Sequence, residues 1–162
     1  MRSGYLRKMP VSAGSSGEPT DLTVTQIAAL FERGGLYSWR EVSQVHRVRM
    51  GIYQKHEHLI SLLTDFGSFN PCYPDQFDEG GERIFYTGNG RRGDQALTPA
   101  NRSLLAAIKS KHAVPLFNKL AVGEWRFEWF WRVINAEYVF DEKADRMIWQ
   151  FTLEPAKNHN ER

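Results

Sequence analysis

Apolar positions along the chain recur at two different spacings. From Thr23 to Glu32, Ile27, Leu30 and Phe31 fall at helical intervals, and Gly34-Gly35 ends the run. Ser38-Trp39-Arg40-Glu41 has the form of a capping box, in which serine and glutamate each satisfy an amide at a helix start, and it opens a second helix toward His46. Thr98-Pro99 marks a third, with threonine as N-cap and proline at the first helical position. Ala100 to Lys111 then carries Leu104, Leu105 and Ile108 on one face. The remaining pattern is that of strands. Leu59 to Leu63 is a short continuous apolar run, and Ile84-Phe85-Tyr86 is another. Glu124 to Phe140 alternates as one long strand or two, with Trp125, Phe127, Trp129, Trp131 and Val133 expected on one face and mostly in the core. A polar turn, Asp141 to Asp145, leads into the alternation of Ile148, Trp149, Phe151 and Leu153, so these segments are expected to pair as an antiparallel hairpin. Strands outnumber helices. The pattern predicts an α+β fold, a closed and twisted β-barrel with flanking helices.

Composition narrows the class. A length of 162 residues suits one domain with a real core, and 41% hydrophobic residues argue for a folded globule. The segment Met1–Thr20 holds Ser12-Ala13-Gly14-Ser15-Ser16-Gly17, a flexible-linker composition, so the domain is expected over 21–155 with tails at 1–20 and 156–162. Cys72 is the single cysteine, which excludes an intramolecular disulfide and fits a reducing compartment. No apolar run approaches the roughly 20 residues of a membrane span, and no secretory signal is apparent at the N-terminus, so a cytoplasmic or nucleoid location is expected. A net charge of +2 is too mild to identify a nucleic-acid binder, for which the useful footprint is a local basic face.

The most chemically suggestive stretch is Ile84 to Gln95. A short strand gives way to a loop containing Gly88, Gly90 and Gly93, with Arg91 and Arg92 inside it and Tyr86 at its mouth. Glycines allow close approach of a ligand to backbone, and guanidinium groups beside an aromatic ring suit a nucleotide. It is not a P-loop, because no Gly-Lys-Ser/Thr follows.

The residues from here onward resemble a known family. Tyr86-Thr87-Gly88, then Gly93-Asp94-Gln95, Leu97 and Asn101, look like the Y-T-G … D-Q-x-L-T-x-x-N block of SRA (YDG) domains. Val114-Pro115-Leu116-Phe117 matches the following strand, and Trp125 to Val133 is similar to the Y-R-Y-D-G-x-Y-R-V segment. Upstream, Val45-His46-Arg47 and Gly51-Ile52 resemble the family's V-H-R … G-I. The matches run in order from about Trp39 to Pro155. The resemblance implies an SRA/PUA-like barrel that binds duplex DNA and extrudes a 5-modified cytosine, methyl or hydroxymethyl, into a pocket without doing chemistry on it. It further implies a modification-dependent restriction context, with a nuclease domain or subunit as partner. No catalytic residue, metal or cofactor is expected.

A flipped cytosine needs aromatic faces, an acceptor for its N4 amine and donors for O2 and N3. By resemblance Tyr86 is the stacking tyrosine, Tyr73 the candidate for the opposite face, and backbone amides around Thr87 supply donors. Asp75 and Asp78 both qualify as the amine acceptor, with Asp75 preferred. His46, Arg47 and Arg49, together with Arg91 and Arg92, are the expected contacts to the DNA backbone. Two departures stand out. Glu128-Trp129 replaces the family's Asp-Gly, so local packing must differ. Only Asn89 to Gly93 separates Y-T-G from D-Q, too short for the groove-entering finger that many members carry there.

Two rivals are of other classes. Pro74-Asp75 with Asp141-Glu142-Lys143 imitates a metal-dependent nuclease motif, although the latter lies in a predicted turn. His56 and His58 could share a strand face as ligands, and His159-Asn160 falls short of an HNH motif. A PUA-like RNA-binding module is the other alternative.

Overall fold

The structure, a computed structural model, describes residues 20–157. The N-terminal linker composition and His159-Asn160 lie outside the described residues. The elements follow as α1 (Val24–Leu30), β1 (Leu36–Tyr37), α2 (Trp39–Val42), β2 (Ile52–Lys55), β3 (His58–Thr64), β4 (Gln76–Phe77), β5 (Ile84–Thr87), α3 (Pro99–Ser110), β6 (Val114–Ala121), β7 (Glu124–Asp141) and β8 (Arg146–Pro155).

Helix starts are fixed by local chemistry. Ser38 Oγ accepts from the Glu41 amide at 3.2 Å while the Glu41 carboxylate accepts from the Ser38 amide at 2.9 Å. Thr23 and Gln26 make the same reciprocal pair at α1. At α3, Thr98 Oγ1 accepts from the Asn101 amide and Pro99 occupies the first turn. No helix of the described residues is long and apolar enough to cross a membrane.

The strands form one sheet in the order β2-β3-β6-β7-β8-β5-β4, with β1 paired to β7. Neighbours are antiparallel except β3 and β6, which run parallel. The expected closed barrel is not what forms. β2 and β4 end the sheet without a ladder between them. With two residues in β4, there is little strand there to pair. The two arms are tied by side chains instead. Tyr86 on β5 donates its hydroxyl to the Leu63 carbonyl on β3 at 2.8 Å, and Asp75 joins Thr64 of β3 to Thr87 of β5. Period-two alternation marks strands but carries no term for whether the outer edges meet.

The aromatic stripe of β7 also departs from expectation. Its register against β6 shifts where Phe127 faces Phe117 and Phe130 faces Pro115, leaving Glu128 and Trp129 as the extra length of a bulge. Pro115 has no amide to donate to the ladder, and a bulge is where an interior strand tolerates that. The extra residue flips parity. Trp125, Phe127, Trp129 and Phe130 join Phe117, Ile27 and Val42 in one core under α1 and α2, whereas Trp131 and Val133 join Val114, Leu116 and Leu104 in the other under α3.

Trp129 carries φ +89, a left-handed backbone suited to glycine, at the position where the sequence departs from the Asp-Gly signature. The chain thus keeps a glycine conformation while holding a buried indole against Phe127 and Phe130, with the Arg33 guanidinium 5.3 Å over its ring. Relieving such a backbone is worth about 1–3 kcal/mol, whereas truncating a buried tryptophan costs about 3–5 kcal/mol. Packing wins. Trp129→Gly is expected to lower stability by about 2 kcal/mol, read as a fall in the urea midpoint at unchanged slope.

Candidate functional site

Between the two arms of the sheet lies a cavity of about 670 Å³. Of the residues expected to read a base, Tyr73, Asp75, Tyr86 and Thr87 line it. Asp78 does not. It sits in the turn before β5, where its carboxylate accepts from the amides of Glu82 at 2.9 Å and Arg83 at 3.2 Å. Those amides, that of Arg83 foremost, hold its carboxyl below the usual range.

Asp75 is the electrostatic centre. It is 6% exposed, one oxygen accepting from Thr64 Oγ1 at 2.6 Å and the other from the Thr87 amide at 2.7 Å. Burial pushes its pKa up to about 7, against the lowering effect of those hydrogen bonds and with a smaller raising effect from Asp65. Tyr86 is 3% exposed and its hydroxyl also donates to the Gly51 carbonyl at 3.2 Å. Its ring is as much core as wall, and burial raises its phenol well above the ordinary value. Tyr73 is half-buried, at the rim.

The backbone amides expected as base donors are already committed. Thr87 donates to Asp75, Gly88 to the Trp149 carbonyl at 2.8 Å, and Asn89 to Asn101 Oδ1 at 2.7 Å. This corrects the assignment of those donors. The same bonds explain the motif. Gln95 Nε2 donates to the carbonyls of Gly88 and Gly90 while its Oε1 accepts from the Trp149 amide, and Asn101 Nδ2 donates to Asn89 and Ala96. A Cβ on Gly88 would stand 2.6 Å from Asn101 Oδ1 and 2.9 Å from Trp149 Cβ, so only glycine fits. The Gly-rich loop is a strapped wall.

The basic groups divide. Arg49 and Arg91 are exposed and line the cavity. Arg47 is exposed but 3.7 Å from Asp21, and Arg92 is exposed away from the lining. His46, expected as a cation at the DNA backbone, is instead 0% exposed. Its Nε2 lies 2.6 Å from the Met50 carbonyl and so donates, and its Nδ1 accepts from Ser61 at 2.7 Å. Desolvation lowers its pKa to about 4, so the ring stays neutral and pins the segment that presents Arg49. Sequence reasoning missed Thr64, Asp65 and Lys119. Asp65, in Asp-Phe-Gly after β3, accepts from the amides of Gly67 and Asn70 and shapes the cavity floor, a local turn signal that could have been read. Lys119, 4.7 Å over the Phe69 ring, reaches the cavity through β6 and had no sequence signal.

The nuclease-like pieces do not assemble. Asp141 ends β7, the Lys143 amide caps it at 3.2 Å, and among the described residues no three His, Cys, Asp or Glu side chains are placed to hold a metal. His58 stacks on His112 at 4.4 Å rather than pairing with His56.

Because the folded Asp75 carboxyl binds its proton more tightly than the unfolded chain does, its ionisation penalises folding. That penalty is absent below about pH 4 and grows as pH rises toward 7. Asparagine keeps both bonds, Oδ1 accepting from Thr87 and Nδ2 donating to Thr64. Asp75→Asn is therefore expected to be the more stable protein at pH 8, by a few kcal/mol at most, with the advantage gone near pH 4. Thermal unfolding across that range measures it.

Comparison with known proteins accords with this geometry. The fold is similar to "Modification dependent TagI restriction endonuclease", with TM-score 0.66 and 21% identity over 81% of this chain and 52% of that one. It is also similar to the SUVH5 SRA domain bound to fully hydroxymethylated CG DNA, with TM-score 0.66 and 18% identity over 86% of this chain and 95% of that one. The SUVH5 SRA domain with methylated CHH DNA matches at TM-score 0.63 and 19% identity, over 79% and 90%. These identities speak for a shared fold, and the chain spans about half of the TagI chain. No curated protein matches in sequence. The family described as "ScoMcrA-like, SRA domain" matches residues 36–162, most of the chain, and this protein belongs to it.

Proposed function

We propose that this chain binds duplex DNA carrying a 5-modified cytosine, extrudes that base into the cavity between the sheet arms, and does no chemistry on it. The observation that carries the reading is a buried carboxylate, Asp75, lining the same cavity as the rings of Tyr73 and Tyr86. Cytosine offers only donor protons at N4, and a carboxylate is the matching acceptor. The carboxylate has about four lone-pair sites, and at least one stays beyond those that Thr64 and Thr87 use. Tyr73, held at the rim, is the ring that covers the base, and Tyr86 is the wall behind it. Family membership and the likeness to SRA domains solved with methylated and hydroxymethylated DNA support the same reading. The likeness to TagI supports a role as the recognition module of a modification-dependent restriction system acting at the nucleoid, with cleavage supplied by a separate nuclease domain or subunit.

Binding to methylated, hydroxymethylated and unmodified duplexes, and to structured RNA, tests this. Modified DNA is expected to bind most tightly, and equal binding to RNA would favour the PUA-like alternative. Tyr73→Ala is expected to cost about 1–3 kcal/mol of stacking on modified DNA. Asp75→Ala is expected to cost about 1–3 kcal/mol through a lost charge-assisted hydrogen bond. Asp78→Ala should leave the preference intact. If neither Tyr73 nor Asp75 alters the modified-to-unmodified ratio, the pocket does not read the base.

The charges make a separate prediction. Arg49→Ala and Arg91→Ala are each expected to weaken binding to all duplexes and to reduce the salt slope by about one. Unchanged slopes in both variants remove them from the interface.

A further inference from the structure

Arg146 opens β8 and is 4% exposed, yet no carboxylate among the described residues pairs with it. Its Nη1 donates to the carbonyls of Gly90 at 2.6 Å and Gly93 at 3.2 Å, its Nη2 to the carbonyl of Cys72 at 2.8 Å, and its Nε has no partner. Burying a guanidinium on carbonyls alone is a poor way to stabilise a strand end, since a well-packed apolar side chain would avoid the desolvation cost. The three carbonyls belong to two separate segments. Gly90 and Gly93 lie in the loop after β5, beside Arg91, and Cys72 immediately precedes Tyr73. The Gly90 amide also bears on the Tyr73 hydroxyl, lowering a pKa that burial raises.

This matters because Tyr73 has little else to hold it. Unlike Tyr86, which sits in a strand paired along its length to β8, Tyr73 lies in irregular backbone between β3 and β4. Its own main-chain bonds are local, its amide to the Asn70 carbonyl at 3.0 Å and its carbonyl to the Asp75 amide at 2.8 Å. On its C-terminal side the segment is held through Asp75 to Thr64 and Thr87, and on its N-terminal side the Arg146–Cys72 bond is the one that reaches across to β8.

We infer that Arg146 is the positioning residue for base reading. By fastening Cys72 to the Gly90 loop it fixes the Tyr73 ring at the cavity rim, and it acts on the DNA only through that ring. The inference rests on the proposed base-reading function and adds a residue to it that touches no base.

The test is a double-mutant cycle on the full chain, reading the modified-to-unmodified affinity ratio with duplexes that differ only at C5. Arg146→Ala is expected to lower that ratio roughly tenfold, the size of one lost stacking contact, while weak binding to unmodified DNA and its salt slope stay unchanged. Arg146→Lys keeps the charge but presents a single point donor where a planar fork served three carbonyls. It guards against loss of folding in the alanine variant and is expected to fall between alanine and the wild type. The decisive measurement is Tyr73→Ala combined with either substitution. If Arg146 acts through Tyr73, the double variants discriminate no worse than Tyr73→Ala alone, whereas a contribution to base reading by another route would add a second loss. A role in general stability would weaken binding to both duplexes alike and leave the ratio unchanged. Additive losses overturn the inference, as does a wild-type ratio in both single variants. A wild-type chain that does not discriminate at all overturns the base-reading function and this inference with it. Discrimination that survives Arg146 substitution overturns the inference alone.

Discussion

The Asp75 carboxylate joins two arms of a sheet that no backbone ladder closes. One oxygen holds Thr64 at the end of β3 and the other holds the Thr87 amide on β5, so together with the Tyr86 hydroxyl on Leu63 it does across the gap what a strand pair would otherwise do. The arrangement is costly, because a buried carboxylate without a cation is disfavoured in its charged form, and the raised pKa is the measure of that cost. An apolar replacement would remove the cost but strand a buried amide and a buried hydroxyl. The cavity exists because the gap is spanned at this one depth and left open in front of it. The element that keeps the site open is therefore also the one whose chemistry suits a cytosine amine.

Around that cross-tie, the residues with the clearest sequence signature are scaffold. Gly88, Gln95 and Asn101 spend their hydrogen bonds on each other's backbone and on β8, leaving the loop after β5 a fixed wall. His46 is used likewise, as a neutral ring that pins the Met50 carbonyl, while Tyr86 holds Gly51 from the other side. The groups left free to meet a ligand lie on the rim, where Arg49, Arg91 and Lys119 gather around one opening. This local grouping explains how a chain of net charge +2 can still offer DNA a basic face.

Trp129 shows how far side-chain packing can override backbone preference. The bulge at Glu128-Trp129 is required by the register between β6 and β7 and by Pro115, which cannot donate to the ladder. Glycine would occupy that backbone without strain. This chain instead places an indole there, and the core under α1 and α2 is built around it. The same bulge passes Trp131 and Val133 to the opposite core, so both faces of the sheet depend on one strained residue.

The sequence by itself determined the elements and their order. Capping at Ser38 and Thr98, the apolar runs of β3 and β5 and the alternation of β7 and β8 are local properties, set by neighbours within a few residues, and they appear where the pattern put them. The ordered motifs also carried the family, because their spacing survives along the chain. What only the tertiary structure decided were the outcomes that depend on distant partners. Sheet closure turned on what the outer strands meet, not on their alternation. The choice between Asp75 and Asp78 as the cavity carboxylate was open in sequence, since both lie in one acidic loop, and was made by the fold of that loop against Thr64 and Thr87. His46 reads as a surface cation beside Arg47 until Ser61 and Met50 close over it. Arg146 reads as one more charge after a polar turn, and only the meeting of Cys72 with Gly90, residues far apart in the chain, gives it a place. Burial and long-range hydrogen bonds set these identities, and neither is a function of a residue's neighbours in sequence.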